Sequence, residues 1–160
     1  MGVMRRALCA AVLGALALPG SAMAVDTTST VSGAIGSELS LAVAAPSVMS
    51  MTHATPGTTS STVTVTSTAL SWTLSIRDAG ATTPGYMDRV TGTGPAGLSN
   101  PLEWKLSSSG SFNNLSASPA TVKTGSLVQA VQVDFRQALG ASEAVTATDT
   151  YGLTATYTVT

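Results

Sequence analysis

Apolar and polar side chains alternate along most of this chain. Leu39, Leu41 and Val43 share one parity, as do Val63 and Val65, then Leu70, Trp72, Leu74 and Ile76. The same spacing returns in Leu102, Trp104 and Leu106, in Val131, Val133 and Phe135, and in Tyr151, Leu153, Ala155, Tyr157 and Val159. Successive side chains of an extended strand point to opposite faces, so a period of two predicts strands with one buried and one wet face. The positions in between are mostly Ser and Thr, which suit an exposed pleated surface. Turn formers punctuate the runs: Pro56-Gly57, Gly80, Pro84-Gly85, Gly92 to Gly97, Asn100-Pro101, Asn113-Asn114 and Gly140. Apart from one helical turn at most in residues 137–145, no helical period follows the first 24 residues. The pattern predicts an all-β fold, an antiparallel β-sandwich of immunoglobulin-like type with roughly seven to ten strands.

Residues 1–24 follow a different pattern. Arg5 and Arg6 precede an apolar run from Ala7 to Leu18, Pro19-Gly20 breaks it, and Ala22-Met23-Ala24 supplies a cleavage site. That is the layout of a secretory signal, and the run is too short to span a bilayer. The expected organisation is a signal peptide over 1–24 and a single β-sandwich domain over 25–160. The protein is expected to be secreted, extracellular or cell-wall associated, with no membrane contact after cleavage. Cys9, the only cysteine, falls in the signal. The exported domain is therefore expected to fold on packing alone, without a disulfide. The last apolar run reaches Thr160 with no sortase signal, hydrophobic tail or basic anchor after it. Retention at a cell surface would then fall to the folded body.

Composition narrows the function classes. Beyond residue 24 stand 25 threonines and 20 serines, whereas five basic side chains face eight acidic ones. Such a surface is solvated by hydroxyls and lacks the basic footprint that nucleic acid or an anionic membrane requires. His53 is the only histidine, it sits in a Ser-Met-Thr-His-Ala-Thr-Pro loop, and no nucleophile turn accompanies it. The carboxylates are spread singly, which leaves open only a calcium site gathered from loops, such as Asp78 with Asp88. Gly92-Thr-Gly94-Pro-Ala-Gly97 has the glycines of a phosphate loop without its helix or lysine. The expectation is a protein that is not an enzyme and holds neither metal nor cofactor.

The two tryptophans occupy matching settings, Trp72-Thr-Leu74 and Trp104-Lys-Leu106. At a spacing of two, each indole and its leucine share a strand face, which makes Trp72, Leu74, Trp104 and Leu106 candidate core residues. Ser71-Trp72-Thr73-Leu74, the Thr- and Val-rich strand before it, and the Tyr- and Thr-rich segment Tyr151–Thr160 resemble the WxL domain of Gram-positive surface proteins over residues 31–160, whereas the motif at Trp104 departs from the family's placing of its second tripeptide. In that family the distal Trp-x-Leu falls in the terminal strand, where this chain has Tyr157-Thr158-Val159. The resemblance implies a β-sandwich attached non-covalently to the cell wall, with peptidoglycan or another wall glycan as partner. Tyr86, in the Gly85-Tyr-Met-Asp-Arg89 connection, Trp104 and Tyr157 are the aromatic candidates for contacting that ligand. The alternative is a structural subunit of a surface fibre or adhesive layer. Its long, uncharged strand 153–160, free of lysine and proline, would pair with a neighbouring chain.

Overall fold

Nearly every alternating run becomes a strand. The computed structural model describes residues 38–80 and 82–160, so the expected signal at 1–24 lies outside the described residues. Among them are β1 (Leu39–Val43), β2 (Gly57–Ser67), β3 (Trp72–Asp78), β4 (Tyr86–Thr91), β5 (Gly97–Pro101) and β6 (Glu103–Leu106). The remainder are β7 (Asn113–Asn114), β8 (Ala120–Gly125), β9 (Gln129–Gln137), β10 (Thr150–Gly152) and β11 (Ala155–Val159). All pairings are antiparallel. They build a large sheet in the order β1-β2-β9-β6-β7, a second sheet β11-β3-β8, and a third sheet β10-β4-β5. The fold is an all-β antiparallel sandwich, and no helix occurs among the described residues.

Register explains the core. Val63 pairs with Val131, Leu106 with Val133 and Trp104 with Phe135, so one face of the large sheet is apolar. From the second sheet, Trp72, Leu74 and Ile76 on β3 and Val122 on β8 face it, and Met87, Leu98 and Leu102 join the same cluster. The Trp104 indole is only 4% exposed, and Trp72 lies as deep, its Nε1 donating to the Leu127 carbonyl at 2.9 Å. Leu106 is half-buried against this cluster. On the wet face of the large sheet, cross-strand charges pair. Arg136 Nε donates to Glu103 Oε2 at 2.7 Å, and Lys105 Nζ lies 3.9 Å from Asp134 Oδ2. These half-exposed pairs contribute no more than about 1 kcal/mol each.

Three details depart from the alternation. Leu70 shares the parity of Trp72 but stands in the turn before β3 and is 88% exposed. The terminal run is two strands in different sheets, because the chain leaves β10 at Gly152 and enters β11 at Ala155. Asn113-Asn114, expected as a turn, forms the short outer strand β7 beside β6.

Packing against Trp72 leaves no room at Gly125, where an added methyl group would collide with the indole ring. Gly125→Ala is therefore expected to destabilise the fold by about 1–3 kcal/mol through overpacking. Trp72→Ala should cost about 3–5 kcal/mol through cavity formation. Urea denaturation followed by tryptophan fluorescence measures the first, and circular dichroism measures both.

Candidate functional site

The segment from Ala44 to Pro56 crosses the surface as an irregular strap between β1 and β2. Its hydroxyl and carbonyl groups tie it down: Ser61 Oγ donates to the Ala44 carbonyl at 2.7 Å, and Ser47 Oγ bonds Thr59 Oγ1 at 3.0 Å. His53 Nε2 donates to the Glu143 carbonyl at 2.8 Å, latching the strap to the loop after β9. The only histidine thus has a positional duty. Met49 and Met51, two apart on the strap, turn toward the core.

Between this strap and strands β10 and β11 lies a cleft of about 500 Å³. Met49 and Met51 form one wall, Tyr151, Ala155 and Tyr157 the other, and Met87, Leu102 and Phe135 the floor. That volume falls within the range of small-ligand and peptide-side-chain pockets, and the lining is mainly apolar. The Tyr157 hydroxyl is buried with no hydrogen-bond partner. Burial pushes its pKa up to about 12, and the neighbouring Ser61 hydroxyl offsets this only in part. Ser61 donates its own proton to Ala44, and its geometry toward Tyr157 falls short of a bond.

The cleft has one carboxylate at its rim, Asp149, and that carboxylate is already engaged. Backbone N–H groups of Thr146, Gly94 and Thr93 donate to it at 2.6, 2.9 and 2.8 Å, holding its pKa at about 2. The glycine-rich connection between β4 and β5 therefore wraps an anion belonging to this chain. Gly92, at φ 103°, has no space for a side chain against Asp149. Glu143 behaves similarly. Burial alone would raise its pKa, but backbone N–H groups of Ser99 and Gly140 outweigh burial and hold it below the usual carboxylate range.

The residues singled out by sequence do not converge. Trp104 lies in the core and offers no face to solvent, Tyr86 is half-buried at the start of β4, and Tyr157 alone lines the cleft. None of the seven aromatic side chains beyond residue 24 is exposed. Phe112 is half-buried on the wet side of the large sheet, with Arg136 Cζ at 4.2 Å and Lys105 Nζ at 5.1 Å from its ring centre. Asp78, one half of the possible calcium pair, is buried, and its two oxygens accept the N–H groups of Gly80 and Gly85, each at 2.6 Å. Among the described residues no three His, Cys, Asp or Glu side chains gather into a metal-binding group.

Strand edges flank the cleft. Thr160 exchanges both backbone hydrogen bonds with Thr73, and Ala79 N–H donates to the Thr154 carbonyl. In an antiparallel ladder the bonded pairs alternate, so Thr156 and Thr158 also bond β3. The N–H and C=O groups of Ala155, Tyr157 and Val159 then point away from β3, toward a free edge. Bonds from Thr68 to Glu38 and from Ala44 to Thr62 fix the same parity on β1, leaving Leu39, Leu41 and Val43 with outward backbone groups. The two edges approach one another along one side of the sandwich.

Compared with known proteins, the chain matches no family model, no curated protein and no solved structure. Its site is therefore read from its own geometry.

The carboxylates give a pH dependence with a definite sign. A group whose folded pKa is depressed stabilises the fold above its unfolded pKa, and that contribution disappears as pH falls through the folded value. For Asp149, shifted from 3.8 to about 2, stability should drop between about pH 4 and pH 2. Asp149→Asn should be less stable at neutral pH and show a shallower acid slope, as measured by urea unfolding at a series of pH values.

Proposed function

We propose that this protein is a secreted, non-catalytic structural subunit that pairs a strand edge with a neighbouring chain at a cell surface. The observation that carries the reading is the unpaired edge of β11. Ala155, Tyr157 and Val159 present backbone donors and acceptors there, and no charged residue or proline occurs between Thr154 and Thr160. Folded proteins usually protect such an edge with lysine, proline or a bulge, and an unprotected one is a template for strand addition. Secretion rests on the signal-like pattern of residues 1–24.

Attachment to the cell wall is the second reading, and the wet face of the large sheet favours it. Thr58, Ser60 and Thr62 are exposed there beside Gln132, and Thr64 and Thr66 continue the row. With no exposed aromatic, a glycan would be held through hydroxyl and amide hydrogen bonds more than by stacking. Together with the WxL resemblance, this makes peptidoglycan the partner of that reading.

The two readings separate experimentally. The purified protein should assemble as its concentration rises, and Val159→Pro should abolish assembly. That substitution removes an outward N–H without touching the ladder to β3. A monomeric wild type, or a folded Val159→Pro protein that assembles normally, would count against strand pairing.

Cosedimentation with purified sacculi tests the second reading. Thr62 and Gln132 are directly opposed in register, so the double variant Thr62→Glu/Gln132→Glu should release a bound protein. Absence of wild-type retention on sacculi would end the wall-binding reading.

A further inference from the structure

One side of the sandwich keeps part of its apolar lining in water. On β1, Leu41 and Val43 stand opposite Val65 and Val63, whose side chains are fully buried, so Leu39, Leu41 and Val43 point to the core-facing side of the large sheet. Leu41 packs against the core, yet Leu39 is 48% exposed and Val43 47%. On the second sheet, Tyr157 and Val159 stand opposite the buried Ile76 and Leu74, which turns Ala155, Tyr157 and Val159 inward as well. The two edge rows approach one another along a seam, and Val43, Ala155 and Tyr157 carry it into the cleft beneath the strap. Among the described strands β11 pairs only with β3, so the second sheet stops short of covering Leu39 and Val43.

The margin of β11 dictates what can fill this gap. Its outward N–H and C=O groups at Ala155, Tyr157 and Val159 alternate partial positive and negative charge, an array complementary to another extended backbone. In an antiparallel ladder the residue that exchanges bonds with Tyr157 lies directly opposite it and puts its side chain on the same face. An added strand therefore turns inward the three residues bonded to Ala155, Tyr157 and Val159. Their side chains arrive at the open flank of the row on β1, so backbone pairing and apolar cover come from the same alternate positions. No charged residue lies in 39–48 or in 154–160, and an inward charge on the added strand would be desolvated without a partner.

We propose that the seam between β1 and β11 is a groove for one extended peptide strand, which pairs with β11 and lays aliphatic side chains at three alternate positions against Leu39, Leu41 and Val43. This contact rests on the strand-pairing reading of β11 and adds the partner's chemistry to it. The incoming segment matches the five residues of β11, with aliphatic side chains at its first, third and fifth positions and no charge there. Proline is excluded at those three positions, because each must donate its N–H to the edge.

Fluorescence anisotropy with two dye-labelled peptides tests the groove on the full chain. Thr-Val-Thr-Val-Thr-Val-Thr should bind the wild type at least about tenfold more tightly than Thr-Ser-Thr-Ser-Thr-Ser-Thr, which offers the same backbone without the apolar side chains. The double variant Leu39→Thr/Val43→Thr keeps β-branched residues on β1 and should erase that preference, with circular dichroism confirming its fold. Val159→Pro should abolish binding of both peptides.

A wild type that does not bind the valine peptide, one that binds both peptides equally, or a preference that survives in the folded double variant would overturn the proposal. The broader reading of β11 is separable from it. Equal binding of both peptides that Val159→Pro abolishes leaves strand pairing standing and removes the groove. Binding of neither peptide also removes the groove, whereas concentration-dependent assembly that Val159→Pro abolishes still supports strand pairing.

Discussion

Side-chain alternation on paired strands is the constraint on which this molecule depends. With a single cysteine, the chain can form no internal disulfide, and the ion pairs among the described residues lie on the wet face of one sheet. The interior is held by Val63, Val65, Val131, Val133, Trp104 and Phe135 from the large sheet, packed against Trp72, Leu74, Ile76 and Val122 from the second sheet. A one-residue slip of β2 would turn its threonines inward and Val63 and Val65 outward, and a slip of β9 would bury Gln132, Asp134 and Arg136. Buried polar groups add direction to the packing. Gln137 donates to the carbonyls of Asn100 and Ala138, and Asp78 caps two glycine amides, so the ends of β9 and β3 are fixed by hydrogen bonds as well as by apolar contact.

The parts legible in the sequence were those decided by period and parity. Trp72, Leu74, Ile76, Val131, Val133 and Phe135 occupy the buried positions that alternation assigns to them. Parity failed where a residue's neighbours, more than its own strand, decide its environment. Leu39 and Val43 alternate correctly but are exposed, because β1 is an edge strand beside the open side of the sandwich. Leu70 keeps the spacing of β3 yet falls in a turn, and Leu127 adopts a left-handed conformation with no glycine or asparagine to announce it.

The cleft was legible only in part. Tyr157 stood out because aromatic residues are scarce, but its partners come from a strap without strand or helix periodicity. Met49 and Met51 do sit two apart, a spacing that could have marked them as facing one way. Their meeting with β10 and β11 is a long-range event, and no local pattern encodes it. Trp104, attractive as a ring for stacking on a sugar, is removed from any ligand by its register opposite Phe135. Scarcity of aromatic residues singles out Tyr86, Trp104 and Tyr157 without revealing which of them the core claims.

Antiparallel geometry couples two properties of β11 that might otherwise have been adjusted apart. The residues whose side chains point toward the interior, Ala155, Tyr157 and Val159, are also those whose amides and carbonyls face the unpaired margin. A shift of their backbone therefore reshapes the hollow beneath them and re-aims the hydrogen-bonding groups along the rim together. Thr156 and Thr158, the alternate residues of β11, carry neither duty, so sequence drift in this strand has one permissive register and one that answers to two masters.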